Sequence, residues 1–151
     1  MGIFLKDINL KGKTALITGA TNGIGLEATK ALSKMGAEIV FIARNHEKAE
    51  KLKDDLQKES GKQPTSIIAD LSLQSEVKKA ADEFLSLNKP LDILRNNAGI
   101  MNRERKETAD GFDEVFSVNH LAYFSLTLML LEKMKNTEGG RIVNVASMAY
   151  R

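Results

Sequence analysis

The sequence predicts an α/β fold built on a doubly wound parallel sheet, and three observations carry that prediction. Short apolar runs suited to buried strands alternate with stretches of helical period from one end of the chain to the other. The connections between them are short, as parallel β–α units require. The first apolar run, Lys13-Thr14-Ala15-Leu16-Ile17, passes through a glycine-rich turn, Thr18 to Gly25, straight into a helix.

Taken in order, the helix after that turn runs from Leu26 to Met35, and Gly36 closes it. Glu38-Ile39-Val40-Phe41-Ile42-Ala43 is the second strand. Asn45 to Lys58 follows as an amphipathic helix, with Ala49, Leu52 and Leu56 on one face. Gly61 and Pro64 punctuate it, and Thr65-Ser66-Ile67-Ile68-Ala69 is the third strand. Ser72 or Ser75 can cap the next helix, which carries Val77, Ala80, Ala81, Phe84 and Leu85 at helical spacing and ends before Pro90. Leu91 to Asn96 is the fourth strand, and Asn97-Ala98-Gly99 turns out of it. A polar loop, Arg103 to Glu107, leads into a long helical region from about Gly111 to Lys135. Gly139-Gly140 stops that helix, and Arg141 to Ala146 is the fifth strand. Neither an internal repeat nor a low-complexity linker interrupts the pattern, so residues 1–151 read as one domain.

Composition narrows the function. Of 151 residues, 42% are apolar and 28% charged, with a formal net charge of +2 and the two signs interspersed. No basic stripe is present, so nucleic acid is not expected as a partner. The absence of cysteine excludes disulfides, thiolate catalysis and zinc–thiolate sites. The N-terminal Met1-Gly2-Ile3-Phe4-Leu5-Lys6-Asp7 lacks both a long apolar run and a small-residue cleavage site. Leu121 to Leu131 is too short and too mixed to span a bilayer, so a cytoplasmic protein without a membrane span is expected.

The glycine turn points to a ligand. Glycine lets the backbone turn sharply and lets an anion approach without a Cβ in the way. A helix start presents unpaired N–H groups and the positive end of its dipole, so phosphate is the group to expect there. Such a turn after the first strand makes the fold a Rossmann-like dinucleotide-binding sheet of strand order 3-2-1-4-5. Ligand then lies at the carboxyl ends of the strands, at the switch between the first and fourth. The spacing Gly19-x-x-x-Gly23-x-Gly25 nevertheless departs from the G-x-G-x-x-G fingerprint.

Four segments together give a specific resemblance. Thr18 to Gly25 resembles the TGxxxGxG turn of the short-chain dehydrogenase/reductase family. Asn96-Asn97-Ala98-Gly99 matches that family's NNAG motif, Asn119 its helix asparagine, and Ser147 the serine closing its fifth strand. Phe41 to Asn45 and Gly140 to Ser147 look most like the retinol-dehydrogenase-like branch. The resemblance implies an oxidoreductase that transfers hydride between a nicotinamide cofactor and a small-molecule alcohol or carbonyl. It implies that Gly19, Thr21, Asn22, Gly23, Ile24 and Gly25 hold the cofactor, with Asp70 and Leu71 at adenine and Asn97, Ala98 and Gly99 alongside. It also implies that Asn119 holds a relay water and that Ser147 donates to the substrate oxygen. Members of the family commonly form homo-oligomers, so one is expected of the full-length form.

Arg44, at the end of the second strand, selects the cofactor. An acid there would bind the ribose hydroxyls and repel a 2′-phosphate, whereas a cation does the reverse. NADP(H) is therefore favoured over NAD(H). Bland roles stand beside these: a solvated Arg44, a helix-start acid at Asp70, an asparagine satisfying a kink at Asn119, and a turn serine at Ser147. His46 reads as solvated, His120 has no partner at metal spacing, and Phe112, Phe116 and Phe124 read as packing residues.

Two departures qualify the resemblance. The family's catalytic YxxxK does not occur in these 151 residues, and Tyr150, three positions after Ser147, does not begin that motif. The chain is thus expected to be a C-terminally incomplete copy, inactive alone, or a degenerate module that binds cofactor without turnover. A pure scaffold has no positive feature. Arg95 stands where an aliphatic residue is expected before NNAG, and a charge inside a central strand needs a partner or a path to solvent.

Overall fold

A computed structural model describes residues 8–147 of the chain. Five parallel strands form one sheet in the order β3-β2-β1-β4-β5, the order expected. They are β1 (Thr14–Thr18), β2 (Glu38–Ala43), β3 (Thr65–Ile68), β4 (Ile93–Asn96) and β5 (Arg141–Asn144). The helices are α1 (Gly23–Lys34), α2 (His46–Ser60), α3 (Gln74–Ser86), a single turn α4 (Glu114–Phe116), a π-turn (Ser117–Leu121) and α5 (Ala122–Lys135).

The strands explain the layering. All five residues of β1 are buried because β2 and β4 pair with it on both sides and helices cover both faces. Alternation then sorts its side chains. Ala15 and Ile17 join Ile39, Phe41 and Ala43 beneath α1 and α2, where Ala49, Leu52 and Leu56 close one core. Leu16 joins Val40, Ile42, Ile67 and Leu94 on the other face. There Val77, Ala80, Ala81 and Phe84 of α3 meet Ala122, Leu126, Leu130 and Met134 of α5.

Several ends differ from expectation. α1 begins at Gly23, inside the glycine turn. Neither Ser72 nor Ser75 caps α3: Leu73 occupies the cap position, and the Asp110 carboxylate, 36 residues on, accepts from Gln74 N at 2.7 Å. The long helical region starts at Glu114, where the Asp113 side chain accepts from Phe116 N, and not at Gly111. It also widens into the π-turn before α5. Counted through, Glu114–Lys135 makes 22 helical residues, long and apolar enough by length and composition to cross a membrane. Here its buried stripe packs on the sheet and α3. Phe112, just ahead of this helix, and Phe116 and Phe124 on it are exposed, not packed in the core, and Phe116 stacks on His120 with ring centroids 5.1 Å apart.

Candidate functional site

A cleft of about 520 Å³ opens at the carboxyl ends of β1, β2, β3 and β4, where the order of strands in the sheet switches between β1 and β4. Every cofactor-contacting residue expected from the sequence lines it. From the glycine turn come Gly19, Thr21, Asn22, Gly23, Ile24 and Gly25. Arg44 comes from the end of β2, Asp70 and Leu71 follow β3, and Asn97, Ala98 and Gly99 follow β4.

The turn is shaped by close packing. Gly19 has φ +66°, and a Cβ on it would lie 2.7 Å from Ala98 Cα. A Cβ on Gly25 would lie 2.1 Å from the Gly19 carbonyl oxygen and 2.3 Å from Asn97 Nδ2. The two glycines thus leave room for one another and for the Asn97 amide, which donates to Gly19 O at 3.2 Å. Thr18 completes the tie: its Oγ1 accepts from both Asn97 N and Ala98 N at 2.9 Å. Strand β4's exit loop is therefore locked to the turn through side chains from both.

The start of α1 differs from those of α2, α3 and α4. α2 is capped by Asn45, whose Oδ1 accepts from Lys48 N at 2.8 Å, and α4 by Asp113. No side chain caps α1, and its first turn carries no acid. The first intrahelical bond runs from Leu26 N to Asn22 O, so the donors ahead of it face the cleft. An exposed helix start without a carboxylate, over glycines, fits a phosphate group.

At the far end of the cleft Arg44 is exposed, with Asn45 and Lys48 beside it on the start of α2. Lys48 was not anticipated. Its signal was available, since a cation in the first turn of the helix after Arg44 must lie near it. Asp70 accepts from Ser72 N at 2.9 Å, four residues ahead of α3, so it caps a turn and does not act as a helix-start acid.

Asn119 sits in the π-turn. Its Oδ1 accepts from Ile100 N and its Nδ2 donates to Ile100 O, both at 2.9 Å. The widened turn aims the amide at the loop after Gly99, and both of its bonds go to that loop and not to the backbone of its own kink. Asn119 and Ser147 are not among the residues lining the cleft, although Val118, adjacent to Asn119 in sequence, and Val145, two residues before Ser147, are. Ser147 is exposed, beyond the carboxyl end of β5. Tyr150 lies outside the described residues. Tyr123 of α5 donates its hydroxyl to Ala98 O at 2.6 Å, and burial pushes its pKa up to about 12 against a small opposing pull from Arg95. Among the described residues, no cluster of histidine and carboxylate side chains could hold a metal.

Residues 13–151 match the family model for short chain dehydrogenase. The chain is 40% identical to retinol dehydrogenase 11 of Homo sapiens, over 99% of its own length and 47% of that protein's. It is 41% identical to the short-chain dehydrogenase TIC 32 B, chloroplastic, of Brassica napus, over 95% of its length and 47% of that protein's. The chain thus spans about half the length of the curated relatives it matches. Among solved structures, a metagenomic short-chain oxidoreductase in complex with NADP aligns with a TM-score of 0.81 and 28% identity, over 92% of this chain and 64% of that one. The retinol-dehydrogenase-like character expected from Phe41–Asn45 and Gly140–Ser147 agrees with these relatives.

Proposed function

The chain belongs to the short-chain dehydrogenase family, and from that premise we propose that its cleft holds NADP(H) for an oxidoreductase acting on an alcohol/carbonyl pair. One observation carries this reading: the glycine turn, Arg44, Asp70 and the Asn97–Gly99 loop, separate in sequence, line a single cleft at the topological switch point. The uncapped start of α1 receives the pyrophosphate, and Arg44 with Lys48 receives the 2′-phosphate. NADP(H), when bound, supplies the hydride to a carbonyl or accepts it from an alcohol; the chain binds and orients it. The NADP held by the metagenomic relative supports the same cofactor here.

Ser147 and Asn119 are the groups we assign to the reacting end. A serine hydroxyl past β5 can donate to the substrate oxygen as charge develops there. Asn119 fixes the Ile100 backbone, so its part is to hold the loop that borders that end. No Tyr-x-x-x-Lys is present in the 151 residues. For this chain by itself we therefore favour cofactor binding without turnover.

Fluorescence titration of the purified chain with NADPH and NADH tests the reading. NADPH binds at least about tenfold more tightly, Arg44→Asp removes most of that preference, and Lys48→Ala removes part of it. Equal affinity for the two cofactors in all three proteins would remove the 2′-phosphate assignment. Binding of neither would remove the function. Steady NADPH oxidation with a carbonyl compound would overturn the view that this chain binds without turnover.

A further inference from the structure

We propose that Arg95 is a positioning residue of the phosphate cradle: its guanidinium orients Asn97, and through it the Gly19 carbonyl and the glycine turn. Arg95 lies on β4, in register with Ile17 of β1 and on the sheet face covered by α1 and α2. Ile93, two residues earlier on the same face, packs against the apolar core there. A half-buried cation at Arg95 does not help that core, and its buried Nε has no hydrogen-bond partner among the described residues. Folding by itself therefore does not account for it.

The guanidinium head does have a task within reach. Arg95 Nη2 donates to Asn97 Oδ1 at 3.4 Å, while Asn97 Nδ2 donates to Gly19 O at 3.2 Å. An amide can be turned either way, and the reversed orientation would set Oδ1 against the Gly19 carbonyl. Guanidinium can only donate, so it selects Oδ1 and leaves Nδ2 for Gly19. The Asn97 amide in turn fills the space that a Cβ on Gly25 would take, at the first turn of α1. Arg95 thus sets the shape of the turn from beneath. Its charge also adds to the positive end of the uncapped helix above it.

This inference rests on the cleft holding a pyrophosphate-bearing cofactor, and the test separates the two. ADP carries the pyrophosphate but neither the 2′-phosphate nor the nicotinamide, so it probes the cradle alone. Arg95→Leu weakens ADP, NADH and NADPH by one common factor of about tenfold, the worth of a charge-assisted bond, while the thermal midpoint holds or rises. Arg95→Lys, which keeps a donor-only head, recovers most of the loss. Wild-type-like ADP and NADPH affinity in Arg95→Leu would overturn the proposal. So would a loss that tracks a lowered thermal midpoint and that Arg95→Lys does not recover. Failure of the unmodified chain to bind NADPH or ADP would instead overturn the assignment of the cleft, and this inference with it.

Discussion

At the residue scale the cleft depends on a few side chains whose places are set by what surrounds them. Gly25 has no room for a methyl group, because the Gly19 carbonyl and the Asn97 amide occupy that space. Backbone cannot yield there as a flexible side chain would, so Gly25→Ala destabilises the chain by about 1–3 kcal/mol or more. Thermal unfolding reads that cost, and cofactor titration of the folded fraction reads an accompanying loss of affinity. Gly23 is different: φ is +51° and nothing lies within 4 Å of a Cβ built there, so its glycine serves conformation and ligand access. Tyr123 gives a pH signature. In the unfolded chain its phenol ionises near 10.0, and in the folded chain near 12. Between those values the folded state keeps a proton that the unfolded state has lost, so stability is full below pH 10 and falls as pH rises toward 12. Unfolding midpoints measured against pH show this decline, and Tyr123→Phe flattens it.

At the element scale, the helix starts separate binding from folding. α1 is left without a cap where the ligand is expected, while α3, which bears no such duty, borrows the Asp110 carboxylate from a distant loop. Asp110→Ala should cost about 1 kcal/mol by chemical denaturation and leave NADPH affinity unchanged. A change in that affinity would show the loop to be coupled to the cleft. The same pair explains what the sequence could carry. Strand and helix existence followed from local periodicity, since each run records which side of it is buried. The cap of α3 did not, because its partner lies 36 residues away and two serines stood nearer. The π-turn was also hidden: an asparagine in an apolar helix signals an irregularity, but only its bonds to Ile100 reveal the widened turn. The exposure of Phe112, Phe116 and Phe124 was hidden as well, because apolar character alone does not say which side meets the sheet.

At the scale of the whole molecule the sheet brings together what the chain keeps apart. Gly19 and Asn97 are 78 residues apart, yet bonded across the switch point, because β1 and β4 are neighbours in the order β3-β2-β1-β4-β5. That topology was legible from the alternation of elements and the right-handed crossover rule, so the cleft's position came with it. Lys48 and Arg95 were less legible as site residues, since each becomes meaningful only when a neighbour from another element is fixed. The far edge of the sheet has another character. All four residues of β5 are exposed, and Ile142 and Val143, like Phe124, Leu128 and Met129 of α5, are apolar and uncovered. The central claim concerns the other end, where the glycine turn, Arg44 and the Asn97 loop form one cofactor site. Amide chemical-shift mapping of the ¹⁵N-labelled chain during titration with NADPH tests it most directly. Saturable shifts should concentrate at Thr21–Gly25, Arg44–Lys48, Asp70–Leu71 and Asn97–Gly99, sparing the opposite ends of the strands around Gly12, Lys62 and Gln63. Shifts absent from the glycine turn, or centred on that opposite end, would contradict the account.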